Sequence, residues 1–177
     1  MKLLKFSIFF TIFTLFLSCK EEAPALPIIE ETPVVSTFYF IRHAEKDRSD
    51  SSNVDPELTQ DGLGRAMRWA EIFTDVYLDK VYSTDYERTI MTASPTAIKN
   101  DISITYYAPQ GIDIEQFKAD NLGKNVLVVG HSNTTPGFVN KMLSEPQFED
   151  MDDSDNGSLF IVQVVGKNST VQRLHMN

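Results

Sequence analysis

The apolar and polar positions alternate in short blocks from Thr37 onward. Thr37-Phe-Tyr-Phe-Ile41 is a compact β-branched and aromatic run, and it breaks abruptly into Arg42-His43-Ala44-Glu45-Lys46. The run predicts a strand over Phe38–Ile41, and the polar stretch from Lys46 to Pro56 predicts a loop. Thr59 suits a helix N-cap, and Leu63, Ala66, Met67, Ala70 and Phe73 recur at helical spacing, so a helix is expected to about Thr74. Lys80–Ser83 reads as a second strand. Thr84-Asp-Tyr-Glu87 has capping-box form and is expected to open a second helix, kinked at Pro95. A third strand is expected over Ile102–Tyr106 and a weaker helix over Ile112–Leu122. Asn125-Val-Leu-Val-Val-Gly130 is continuously apolar, as a strand covered on both faces should be. A helix then starts at Thr135-Pro136, with proline in its first turn. Leu159–Val165 and Thr170–Met176 predict a closing hairpin across Gly166–Ser169. Alternating strands and helices define an α/β domain with a mostly parallel central sheet.

The chain has 177 residues, which suits one domain, but its beginning reads differently. Lys2 and Lys5 precede an apolar stretch, Phe6 to Leu17, of the length found in secretory signals and too short for a stable span. Cys19 is the sole cysteine, so no intrachain disulfide is possible. Leu15-Phe-Leu-Ser-Cys19 resembles a bacterial lipobox, which implies cleavage before Cys19 and lipidation of that residue. Lys20-Glu21-Glu22 resembles the acidic export signal of surface lipoproteins. The expected organisation is therefore a signal peptide at 1–18, a lipidated, proline-containing tether at 19–36 and a folded domain at 37–177. This places the protein in the bacterial cell envelope, periplasmic or surface-exposed, held to the membrane through Cys19. The formal charge is −9, and losing residues 1–18, with two lysines and no acid, makes it −11. Such a balance argues against nucleic acid as a partner while leaving room for a local basic pocket.

Two predicted strands end in histidine: Ile41-Arg42-His43 and Val129-Gly130-His131. Ligands of open parallel sheets bind at the carboxyl ends of strands, so both histidines belong on one rim. Arg88 falls in the first turn of a predicted helix, where a cation opposes the helix dipole unless an anion shares the site.

Taken together, Arg-His-Ala-Glu-Lys, Tyr-Ser-Thr-x-x-x-Arg-Thr-x-x-Thr-Ala and Gly-His-Ser-Asn-Thr-Thr-Pro resemble the histidine phosphatase, or phosphoglycerate mutase-like, superfamily over residues 37–176. The resemblance implies a three-layer α/β/α sandwich and a phosphohydrolase that works through phosphohistidine, without cofactor or metal. It makes His43 the nucleophile, Arg42 and Arg88 the phosphoryl clamp, and His131 the second histidine of the pocket. A neutral imidazole can attack phosphorus at neutral pH, and two guanidiniums match the oxygens they must hold. The family's proton-donating carboxylate has no clear counterpart here. Asp113 and Glu115 are the nearest candidates, with Glu45 and Asp85 as further options. The substrate would be a phosphorylated small molecule or phosphopeptide, met by loops 46–58 and 107–118. The alternative is a surface lipoprotein that binds phosphorylated ligands with weak or no turnover. Asp152-Asp-Ser-Asp-Asn-Gly157 has the beginning of a calcium-loop spacing, but Gln163 replaces the closing glutamate, so it reads as a solvated acidic turn. Trp69 reads as packing, Arg65 and Arg68 as solvated helix positions, and His175 as a surface residue. The oligomeric state is unreadable.

Overall fold

The computed structural model describes residues 32–176. The signal, Cys19 and most of the proposed tether lie outside them. The first strand begins three residues earlier than expected, because Val35 and Ser36 already belong to it and pair with Val165 and Val164.

Six strands form one sheet: β1 Val35–Arg42, β2 Lys80–Ser83, β3 Ile104–Tyr106, β4 Asn125–Gly130, β5 Ser158–Val165 and β6 Asn168–His175. Their spatial order is β3-β2-β4-β1-β5-β6. The first four in that order run parallel, and β5 and β6 add an antiparallel margin. Four helices follow the chain: α1 Gln60–Ile72, α2 Glu87–Lys99, α3 Ile114–Asp120 and α4 Thr134–Leu143.

Side chains alternate across a strand, and this divides the apolar positions into two layers. Phe38, Phe40, Val126, Val128, Phe160 and Val162 face Phe117 of α3 and Phe138, Val139 and Met142 of α4. Ile41, Val81, Leu127, Val129 and Leu159 face Trp69 and Phe73 at the end of α1, and Ala93 and Ala97 of α2. The register sets Phe38 beside Val126 and Phe40 beside Val128, so both layers are continuous across the central strands. This is the expected α/β/α sandwich with a mostly parallel sheet.

Several local expectations shift. Thr59 caps α1 by accepting from Gly62 N. The buried stripe of α1 is Gly62, Ala66, Trp69 and Ala70, whereas Leu63 and Met67 are exposed. The stripe turns because Gly62 lies against the Glu45 backbone, where a Cβ would stand 2.2 Å from the carbonyl oxygen. The second helix starts at Glu87, capped by Tyr86, and runs on through Pro95. Thr84 is not its cap. The third strand and the third helix are shorter than predicted. The hairpin turn is only Gly166-Lys167, with Val165 paired to Asn168, because glycine at φ 59° makes a two-residue turn possible.

Candidate functional site

The carboxyl ends of β1, β4 and β2 lie side by side, and each delivers polar residues to the same rim. Beyond Arg42, the chain stays in register for one more bond: His43 N donates to Gly130 O at 2.9 Å. His43 itself is buried, and its carbonyl accepts from Asn156 Nδ2 at 2.8 Å. Its Nδ1 lies 2.7 Å from Ala44 O. A carbonyl can only accept, so Nδ1 carries the proton and Nε2 keeps its lone pair. Burial pushes the His43 pKa down to about 3, helped by the charges of Arg42, His131 and Arg88 and opposed by the Ala44 bond.

His131 leaves β4 at 5.5 Å from His43 between ring centres. Gly130 makes that exit possible, since a Cβ there would approach Thr135 Oγ1 to 2.8 Å. The His131 ring is fixed by Thr84 Oγ1, 2.9 Å from Nε2. The single proton of the Thr89 hydroxyl faces the Thr84 and Tyr86 carbonyls, so Thr89 Oγ1 accepts from Thr84. Thr84 then has only its oxygen to offer, and His131 donates to it through Nε2–H. Burial and the nearby Arg88, Arg42 and Lys46 charges hold the His131 pKa down to about 4. Tyr86 meets the His131 ring edge to face at 5.1 Å and carries the Arg88 guanidinium over its own face at 4.4 Å.

The two arginines are held in different ways. Arg42 is 2% exposed. Its Nη1 donates to Asp152 O at 2.8 Å and Asp155 O at 3.3 Å, and its Nη2 to Asp153 Oδ1 at 2.7 Å. The acidic stretch 152–157 is therefore not simply a solvated turn. It does wrap a cation, and that cation is a guanidinium. Arg88 Nη1 reaches Asp55 Oδ1 at 3.1 Å, and the same carboxylate accepts from Glu87 N at the start of α2. Asp55 is the anion that makes a cation tolerable in the first helical turn. The Nε atoms of both arginines are buried without a partner. Such donors cost free energy unless a ligand takes them up.

Arg42, His43, Lys46, Tyr86, Arg88 and His131 line one cavity of about 330 Å³. Pro109, Gln110, Ser132, Asn133, Thr134 and Asp153 complete its wall. The four residues expected to form the phosphoryl pocket thus come together. The two expected acids do not. Asp113 is spent as the N-cap of α3, accepting from Gln116 N at 3.0 Å. Glu115 is exposed and pairs with Lys118 at 3.2 Å. Of the further options, Asp85 is exposed, and Glu45 lines a neighbouring cavity, paired with Arg65 at 2.8 Å. Burial acts to raise the Glu45 pKa, but the Arg65 hydrogen bond and charge outweigh it and hold the carboxyl below its usual range. Arg65 is accordingly not a solvated position. Trp69 packs as expected, and His175 is exposed.

Sequence reasoning missed Thr84, Tyr86, Asp55 and Asp153. Thr84 looked like a cap, and the partner that gives it another use, His131, is distant in sequence. For Asp55 and Asp153 the available signal was charge: each buried arginine calls for a carboxylate.

Residues 38–108 match the family model of the histidine phosphatase superfamily (branch 1). No curated protein matches the chain. Among solved structures, the chain is similar to the protein histidine phosphatase SixA complexed with tungstate, at 16% identity and TM-score 0.60, over 78% of this chain and 96% of that one. It is similar to a mycobacterial glucosyl-3-phosphoglycerate phosphatase, at 13% identity and TM-score 0.61, over 81% and 100%. It is also similar to phosphoglycerate mutase from Bacillus anthracis, at 15% identity and TM-score 0.62, over 80% and 93%. At these identities the structural likeness establishes the fold.

Proposed function

We propose that the chain is a histidine phosphatase of that superfamily, a phosphohydrolase whose His43 is transiently phosphorylated, a reading supported by the family-model match over residues 38–108. One observation carries the reading: the Nδ1–H bond to Ala44 O leaves a neutral His43 Nε2 as the nucleophile of a cavity ringed by Arg42, Arg88 and His131. Its lone pair forms the N–P bond while the bond to the leaving group breaks, and the electron pair departs with that group. Water then attacks phosphorus, the N–P bond breaks, and Nε2 recovers its lone pair. Arg42 and Arg88 oppose the charge on the equatorial oxygens, which is the main service an enzyme can give phosphoryl transfer. None of these steps calls for a metal, and chelators should leave turnover intact.

Asp153 is the only carboxylate among the described residues that lines the cavity, and it is bound to Arg42 and Arg48. Hydrogen bonds from those arginines hold its pKa down to about 2, so it does not donate a proton at neutral pH. The substrate class that fits is a phosphorylated compound with a good leaving group. The same feature supports the second reading, a receptor for phosphorylated ligands with little turnover. Incubation of the purified full chain with p-nitrophenyl phosphate separates the two. Phosphate release with an acid-labile, alkali-stable phosphoryl label that is lost in His43→Ala is the expected result. Binding of phosphate with no label and no release would make the protein a receptor.

The lipid anchor belongs to the same proposal. Cys19→Ser should move the protein out of the membrane fraction without changing its catalytic constants, and retention at the membrane would count against a lipid anchor.

A further inference from the structure

Four cations gather where β1 ends: Arg42, Lys46, Arg48 and Arg88. Arg42 and Arg48 share Asp153, at 2.7 and 2.8 Å, and Arg88 holds Asp55 at 3.1 Å. Lys46 alone of the four has no carboxylate or other hydrogen-bonding partner for its ammonium among the described residues. It is not a loose surface lysine either. Its side chain is partly buried, its backbone pairs with Leu58 in an antiparallel bridge, and the next residue, Asp47, donates N–H to Glu57 O at 2.8 Å. Lys46 lines the 330 Å³ cavity that contains His43. It also lines an adjoining cavity of about 570 Å³, walled by Glu45, Arg48, Asp152, Asp153, Ser154 and Asn156. It therefore stands at the junction between the phosphoryl pocket and the larger space that can take the rest of a substrate. Burial, with the Arg88, Arg48 and Arg42 charges beside it, lowers its pKa against the opposing charge of Asp153.

We infer that Lys46 is a leaving-group residue, whose ammonium takes the negative charge that develops on the departing atom and thereby selects substrates that release an anion. Acyl, enol and aryl phosphates are that class: their P–O bond breaks, the electron pair stays on oxygen, and Lys46 donates a hydrogen bond to it while keeping its proton. A phosphoramidate releases a neutral nitrogen from a precursor protonated on the leaving nitrogen or its ring, so the same ammonium repels it. The inference rests on the His43 reading above. It adds a residue that does in this cavity what a carboxylic acid would otherwise do.

The test is a series of rate measurements on the full chain and on Lys46→Met and Lys46→Arg, from dinitrophenyl to unsubstituted phenyl phosphate, with acetyl phosphate and phosphoramidate alongside. Lys46→Met should lose about 10²-fold in kcat/KM on phenyl phosphate and under about 10-fold on the dinitrophenyl ester, because a better leaving group needs less help. Lys46→Arg should restore most of the loss, and phosphoramidate turnover should hold or rise in Lys46→Met. An equal loss on every substrate would make Lys46 a binder of the transferred phosphoryl group and overturn the inference, as would no loss at all. A phosphoryl label on His43 is followed in the same samples. If wild-type protein never acquires it, the His43 reading itself has failed. If the label forms and the series stays parallel, only the role of Lys46 has.

Discussion

Burial of His43 couples the nucleophile to stability in a way that can be measured. In the folded chain its pKa falls to about 3 from an ordinary 6.5, with burial the main cause. Between those values the unfolded chain binds a proton at this position and the folded chain does not. Stability must therefore rise with pH across the window and be lost as pH falls from about 6.5 toward 3. At about pH 4.5 the unfolded imidazole lies two units below its own pKa, and each unit is worth about 1.4 kcal/mol, so His43 should cost about 2–3 kcal/mol relative to pH 7.5. That magnitude does not depend on the exact folded value, provided it lies below the working pH. His43→Asn removes the titration, and the Asn amide can still donate to the Ala44 carbonyl. Urea unfolding followed by fluorescence is the assay, since Trp69 is the sole tryptophan and is buried in the layer beneath α1. The wild-type chain should lose about 2–3 kcal/mol more than His43→Asn between about pH 7.5 and pH 4.5. Equal losses in the two proteins would mean that folding does not keep His43 neutral, and the account of the nucleophile would fall with it.

Three further outcomes are expected. Arg88→Ala should lower turnover by about 10²–10³-fold, as loss of one preorganised charge stabiliser does, and Arg42→Ala should match it while also destabilising the fold, because Asp152, Asp153 and Asp155 lose their shared partner; steady-state rates and urea midpoints check both. Asp113→Asn and Glu115→Gln should leave the dependence of rate on leaving group unchanged, since neither side chain lines the cavity; a steeper dependence in either variant would restore that residue as the acid. Gly62→Ala should cost about 1–3 kcal/mol in urea unfolding, because the new methyl meets the Glu45 carbonyl and α1 must move away from the strand tip.

What was legible in the sequence was what local physics controls. The strands of continuous β-branched and aromatic residues, the Thr59 cap and the placement of His43 and His131 at strand ends depend on near neighbours in the chain, and β2 and β4 fall where the pattern put them. Family likeness could add the two arginines, because their motifs are short and contiguous. Tertiary structure decided the rest. It turned α1 so that Gly62 and Trp69 face inward in place of Leu63 and Met67, because contact with the Glu45 backbone selects the buried stripe. It drew Thr84 away from capping and onto His131, 47 residues on. It spent Asp113 on a helix cap, and it wrapped an acidic turn around Arg42 across more than 100 residues of chain. Each of these is a polar group choosing between partners, and desolvation makes that choice only once the fold has brought distant partners within reach.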